Sequence, residues 1–351
     1  MKIKNIITLV CCGVFMLTFS AWCFFGPKAE YSDSERRVLA KFPELSWEQI
    51  SSGAFANDFE EYATDRFPMR DAWRSLKAYA RLGIFMQADN NDIFVSDGHI
   101  SKLEYPIKYE MLDHAAEVLS SVAKRYAEGE VYFAMIPDKN KVLAKLSIDY
   151  EAVEAYMAQK MDLAEVIHIG DMLSAEDYYY TDTHWRQEKI VDVAERLGEA
   201  MGTDVRTEYE QKTLDTPFYG VYAGQSALRT KPEQIRYLTN DTIRSLTVEG
   251  AEVYDMNKAQ GKDPYEMFLS GNQPIIRMVN PNCPDGERLI LIRDSFGSSI
   301  APLLIEGFSE ITLVDLRYIR SNMLTQYVDF EGAKVLFLYS TLLLNNSLAL
   351  K

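Results

Sequence analysis

The longest apolar run comes first. From Asn5 to Gly26, 22 residues pass without a charge, enough for a helix to cross a bilayer. Residues 46–85 then mix apolar and polar positions at turn spacing. Phe55, Phe59 and Tyr62 recur at i, i+4 and i+7, and Pro68 splits the pattern into two predicted helices. From residue 110 the chain alternates helices with short buried strands. Leu112, Ala115, Leu119, Val122 and Tyr126 form one helical stripe, closed by Gly129. "VYFAMIP" and "EVIHIG" read as strands. A helix is predicted at about 185–201, with Ile190, Val193, Ala194, Leu197 and Met201 on one face. Three further strands are predicted: "RLILIR" (288–293), "EITLVDL" (310–316) and "KVLFLYS" (334–340). Such a pattern predicts an α/β fold, a mainly parallel sheet covered on both faces. Residues 205–280 are less periodic and read as an insertion that builds a substrate surface.

The chain has 351 residues, 47% of them hydrophobic and 25% charged, an ordinary globular composition. The net charge is −15 with no basic run after the first residues, which argues against nucleic acid as a partner. Two readings fit the apolar start. A cleaved secretory signal wants small residues before its cleavage site, and Phe19, Trp22 and Phe24 intrude. An uncleaved anchor fits better. Lys2 and Lys4 then place the N-terminus in the cytoplasm, and everything from about Pro27 onward faces outside. The predicted organisation is an anchor (1–26), a helical arm packing on the domain (27–100) and an α/β domain (101–351). Cys283 stands alone outside the apolar segment, so no internal disulfide forms there, and no Cys/His cluster has metal-ligand spacing. No metal or cofactor is expected. His168, in an apolar run, is expected to be a hydrogen-bonded core residue.

Candidate chemistry lies in two stretches, "YYYTDTHWRQ" (178–187) and "RDSFGSS" (293–299). In an open α/β sheet, ligands bind beyond the carboxyl ends of the strands. Ser295 lies where "RLILIR" leaves the sheet and turns into a predicted helix, whose first amides favour negative charge. A serine hydroxyl needs a base, and the base needs an orienting carboxylate. His184 is the candidate base and Asp182, two residues earlier, the candidate carboxylate. Capping and packing account for the same residues. Asp182 or Thr183 fits as the N-cap of a helix starting near His184, Trp185 fits as core, and Asp294-Ser295 fits as a cap of the next helix. The G-x-S-x-G elbow of the common hydrolases is absent.

"YYYTDTHW" and "LILIRDSFGSSIAPLL" together resemble the DHHW-type proteins, bacterial envelope proteins related to the SGNH hydrolase-like domains of alginate O-acetyltransferases. "SDSERRVLAKFPELS", "FEEYATDRFPMRDAWRSL", "IPDKN", "PFYGVYAGQ", "YEMFLSGNQP" and "VDLRY" follow in the family's order, so the resemblance runs from about Ser32 to the C-terminus. It implies a flavodoxin-like three-layer α/β/α domain. It also implies a catalytic set of Ser295, His184 and Asp182 performing two-step acyl transfer: O-acetyltransferase or acetylesterase chemistry on a cell-surface glycan. A membrane-bound acyltransferase is the implied acetyl donor. A non-catalytic binding or scaffolding protein with the same fold is the alternative. The chain departs from the family's name motif at Thr183, where the middle His is expected, and has Arg293 where many SGNH proteins carry glycine. The Ser295 amide and the Asn272 side chain are the candidate oxyanion donors, although Asn272 also fits as a turn residue. Arg317 fits as a carboxylate ligand or as a structural salt bridge. Tyr178, Tyr179, Tyr219 and Tyr222 are candidate sugar-stacking residues or packing.

Overall fold

A computed structural model describes residues 3–26, 29–126, 129–144 and 146–351; Lys2 and Pro27 lie outside the described residues. The chain divides into two compact units. The first comprises Met1–Asn91 with Ala223–Arg229, and the second Asp92–Tyr222 with Thr230–Lys351. The division falls after Asn91 rather than at residue 100 because Ile93–Ser96 and His99–Lys102 form a hairpin of the second unit.

In the first unit, helix α1 (Ile3–Phe25) holds the apolar run, and its stretch Ile3–Cys23 is long and apolar enough to span a membrane. Helices α2 (Ala54–Asp65) and α3 (Arg70–Tyr79) follow, with Pro68 in the break between them. Phe55, Phe59 and Tyr62 pack around Phe42. Asp65 is buried and accepts both Arg37 (2.5 Å) and the Ala40 amide (2.9 Å).

The second unit is the expected α/β layer structure. Its helices include α4 (Tyr109–Tyr126), α5 (Tyr150–Lys160), α6 (Val191–Ala200) and α7 (Gly297–Leu304). Its central sheet has seven strands: β1 (Val131–Ile136), β2 (Glu165–Val166), β3 (Thr247–Glu249), β4 (Ile275–Val279), β5 (Glu287–Arg293), β6 (Phe308–Val314) and β7 (Ala333–Ser340). Their spatial order is β2-β1-β7-β5-β6-β4-β3. The first five run parallel; β4 and β3 close the edge antiparallel.

Period-two alternation sends Phe133, Met135, Ile290, Ile292, Val335 and Phe337 to one face, under the stripe of α4 and under α5. Tyr132, Ala134, Ile136, Leu289, Leu291, Leu336 and Leu338 go to the other, under α6 and α7. The middle of each central strand is therefore apolar on both faces, as a doubly covered sheet requires.

Three details differ from the sequence reading. "EVIHIG" contributes only a two-residue strand at the sheet margin, and His168 is exposed, bonding Glu154 at 2.8 Å. The helix expected from about 185 begins at Val191; a loop and the short turn Gln187–Lys189 come first. Residues 205–280, read as a less periodic insertion, hold strands: Glu210–Phe218 pairs with Glu233–Thr239, and β3 and β4 extend the main sheet.

Candidate active site

Strand β5 ends at Arg293, in the sheet interior, and the chain turns into α7 within three residues. Asp294 pins that turn. One carboxylate oxygen accepts the Phe296 amide at 3.0 Å, an Asx turn. The other accepts the Ser340 amide (2.8 Å) and hydroxyl (2.6 Å) from the end of the neighbouring β7. Asp294 is thus a buried brace between two parallel strands. The residue that opens α7, Phe296, makes no side-chain cap; Asp294 caps the turn ahead of it, taking the Phe296 amide on its side chain and the Gly297 amide on its carbonyl, so the capping reading holds for Asp294 and not for Ser295. Ser295 is left at the carboxyl edge of the sheet with its hydroxyl free of structural duty.

The second loop is a tight return. Tyr178 and Trp185 face each other across an antiparallel bridge, with the Tyr179 amide donating to the His184 carbonyl (3.1 Å) and the Arg186 amide to Asp177 (2.7 Å). Trp185 is fully buried and donates to Ser299 on α7 at 2.8 Å. Gln187, also buried, donates to the Ser299 carbonyl (2.7 Å) and accepts the Leu238 amide (2.8 Å). The base-bearing loop is thereby stitched to the helix that follows the serine. Neither Asp182 nor Thr183 caps a helix.

His184 Nε2 lies 2.8 Å from Ser295 Oγ, and its Nδ1 lies 2.7 Å from Asp182 Oδ1. The same carboxylate oxygen accepts the His184 amide (3.0 Å), and the other accepts the Val221 amide (2.8 Å). Asp182 is buried. Burial opposes its charge, yet the His184 ring and these amides hold its pKa below the ordinary carboxylate value. The imidazole is sandwiched: Tyr265 stacks on it with ring centres 4.0 Å apart, and Phe296 approaches at 5.0 Å. The Tyr265 hydroxyl bonds Ser299 at 2.9 Å, so one α7 hydroxyl fixes both Tyr265 and Trp185.

Ser295 and His184 open into a cavity of about 190 Å³, lined also by Asp263, Tyr265, Phe268, Asn272, Ser298 and Arg317. Residues 263–272, from the stretch read as an insertion, supply one wall. Arg317 both lines the cavity and forks onto the buried Asp315 (2.6 and 2.9 Å), so the ion pair and the exposed edge coexist. Burial lowers the Arg317 pKa, but its hydrogen bonds to Asp315, and that carboxylate's charge, win and raise it.

Arg293 does not reach the cavity. It is completely buried, 3.7 Å from Asp315, with burial pushing its pKa down. Gly297 gives it room, since a Cβ there would stand 2.6 Å from the Arg293 Cβ. Tyr222 is buried beneath the Lys139 ammonium (5.4 Å to the ring centre), and Tyr178 and Tyr179 are buried too, so these three are packing and not sugar platforms. Tyr219 is exposed.

Lys139 escaped the sequence reading as a site residue. It is buried, and its ammonium donates to the carbonyls of Tyr179 (2.9 Å) and Tyr180 (3.2 Å), just ahead of Asp182. Burial pulls its pKa down to about 7, against the attraction of Asp182, Glu233 and Asp138. Glu233 holds the same loop from outside, accepting the Tyr180 and Thr181 amides and the Thr181 hydroxyl. Gly220 is required where it is: a Cβ would fall 2.2 Å from the Thr181 carbonyl oxygen. The signals for Lys139, Gly220 and Tyr265 were the family-like stretches "IPDKN", "PFYGVYAGQ" and "YEMFLSGNQP".

No family model and no curated protein matches the chain. Solved structures do. A DHHW family protein from Eubacterium siraeum superposes with TM-score 0.58 at 20% identity, covering 73% of this chain and 93% of that one. Bacillus cereus PatB1, solved with a sulfonyl adduct, gives TM-score 0.58 at 18% identity, covering 74% of this chain and 97% of that one. The O-acetyltransferase domain of Pseudomonas putida AlgJ stands further off, at TM-score 0.44 and 11% identity over 73% of this chain and 93% of that one. The α/β fold expected from the resemblance is the fold of the first two of these neighbours.

Proposed function

We propose that the chain is an extracytoplasmic serine acyl-transfer enzyme, an O-acetyltransferase or acetylesterase acting on a cell-surface polysaccharide. The observation that carries this reading is the unbroken line Asp182–His184–Ser295 ending at a cavity. In this mechanism Ser295 Oγ attacks the carbonyl carbon of an acetyl ester while His184 Nε2 takes its proton. Asp182, kept ionised, orients the ring and stabilises the imidazolium. The Ser295 amide and the Asn272 side chain receive the negative charge on the former carbonyl oxygen. Collapse expels the donor alcohol, which takes the proton from His184. A sugar hydroxyl, or water in an esterase, then gives its proton to His184 and attacks the acetyl-serine. As the resulting intermediate collapses, His184 returns the proton to the departing Ser295 Oγ, and the acetyl group stays on the acceptor.

The helix Ile3–Phe25 serves in this reading as a retained anchor with its N-terminus in the cytoplasm, so the second unit faces the cell surface. No acetyl-CoA is expected there, and a membrane-bound acyltransferase is the proposed acetyl donor. The alternative, a binding or scaffolding protein, leaves the hydrogen-bonded line without a task.

The test is hydrolysis of a small acetyl ester by the full chain and by Ser295→Ala. Loss of roughly 10⁴-fold or more with the fold retained is expected. Activity that survives the substitution refutes the mechanism. A sulfonyl fluoride should also add one sulfonyl group to Ser295, read by intact mass and absent from the variant. PatB1 has been solved with such an adduct.

A further inference from the structure

Helix α3 is inside out. A helix at a protein surface normally turns its apolar stripe to the core and its charges to water. Met69, Trp73 and Leu76 stand at i, i+4 and i+7, and Ile84 continues the stripe past the wider turn Ala80–Ile84. They are 64%, 46%, 59% and 75% exposed, and Phe85 and Met86 beyond them are more than two-thirds exposed. The basic residues beside the stripe are paired within the unit. Arg70 bonds Glu35 (2.6 Å) and Asp65 (3.2 Å). Arg74 bonds Glu35 (3.1 Å) and the carbonyls of Gly224 and Gln225. Lys77 bonds Asn91 at 2.9 Å. Arg70 and Arg74 spend their charge on partners inside the unit, Asp71 stays exposed, and the apolar side chains of the stripe are turned outward.

One contact says what covers that band. Phe67, just ahead of α3, sets its ring 5.8 Å from Phe19 of the membrane-length helix. Phe19 lies four residues inside Cys23, where the candidate span ends. At 1.5 Å per residue that is a depth of about 6 Å. Interfacial helices seat their apolar face about 5–10 Å into the headgroup–acyl boundary, where Trp and Phe are favoured.

We propose that the stripe Met69–Trp73–Leu76–Ile84 lies in the interface of the bilayer that α1 crosses, docking the N-terminal unit flat on the lipid. The proposal rests on α1 being retained, which the intact mass of protein extracted from membranes establishes separately. It does not depend on the acyl-transfer reading.

The experiment uses the full chain in nanodiscs holding one copy, made with phosphatidylcholine whose acyl chains are brominated or plain. Trp73 emission is isolated as the difference between wild type and Trp73→Phe, which removes Trp22, Trp47 and Trp185. In brominated discs it should lose most of its intensity. Leu76→Glu with Ile84→Glu, at exposed positions that leave the fold intact, should restore it. Equal Trp73 emission in both lipids overturns the proposal. So does a stripe that stays unquenched and cross-links to a second copy at higher protein density, which would make it an interface between chains.

Discussion

The two loops that meet at the cavity are held in opposite ways. The serine loop belongs to the sheet. Ser295 follows β5 directly, and one buried carboxylate, Asp294, ties the turn to β7. The histidine loop belongs to no element. It is fixed by a lysine from beneath (Lys139), a glutamate from outside (Glu233) and the backbone of residues 220–222. The first position is a by-product of folding the sheet; the second anchors its ends in the core through Tyr178 and Trp185 but sets Asp182 and His184 by bonds brought from outside the sheet. Substitutions in the histidine loop should therefore separate activity from stability, and substitutions in the serine loop should not.

The sharpest break is Asp182→Asn. It keeps the shape but presents the wrong hydrogen-bonding partner to His184 Nδ1, and acetyl-ester turnover should fall about 10⁴-fold. The melting temperature should change little beside that loss; a variant that unfolds instead would make the loop structural. Gly220→Ala comes next. Its Cβ collides with the Thr181 carbonyl and stands 2.4 Å from the Asp182 amide nitrogen, so the acid must move. A displacement on the order of 1 Å costs about 10²-fold in rate. Turnover should drop by that order in steady-state kinetics, with a melting shift of only a few degrees.

The smallest effect is also the most specific. In Lys139→Met the loop loses its ammonium, but the core also loses a charge that burial disfavours. The unfolded chain keeps the lysine proton up to about 10.5, whereas the folded protein releases it near 7. Unfolding between these values takes up a proton, so lysine makes stability rise with pH across that window. Below about 7 the cost of burying the ammonium is fully present. Chemical-denaturant curves from pH 6 to 10 should show wild type gaining on the variant above about 7. Parallel curves would mean Lys139 is not buried as an ammonium.

The same contrast explains what the sequence disclosed. The central strands and the α4 and α6 stripes were legible because double burial leaves a continuous apolar run or a 3.6-residue period. Ser295 was legible because it follows such a strand. Asp182 and His184 were legible because their relation is local, two residues on one loop. Strand β4 was not: Ile276 and Met278 point inward while Arg277 points out, an alternation too short to stand apart from a loop. Lys139 and Tyr265 were not legible as site residues either. Their roles come from where the fold delivers them, and neither neighbourhood in sequence announces a charge under a loop or a ring against an imidazole. His168 misled for the converse reason. Its apolar neighbours continue inward, while the side chain itself sits past the end of the short marginal strand.

The spacing of Asp182 and His184 has a mechanical consequence. Asp182 and His184 share one turn of backbone, and one Asp182 oxygen meets both the amide and the ring of His184, so a shift of the loop carries the two together. The link that joins the two loops is then the 2.8 Å gap from imidazole to hydroxyl. In the proposed acyl transfer, a ligand settling in the cavity would act on the proton's path through that one gap.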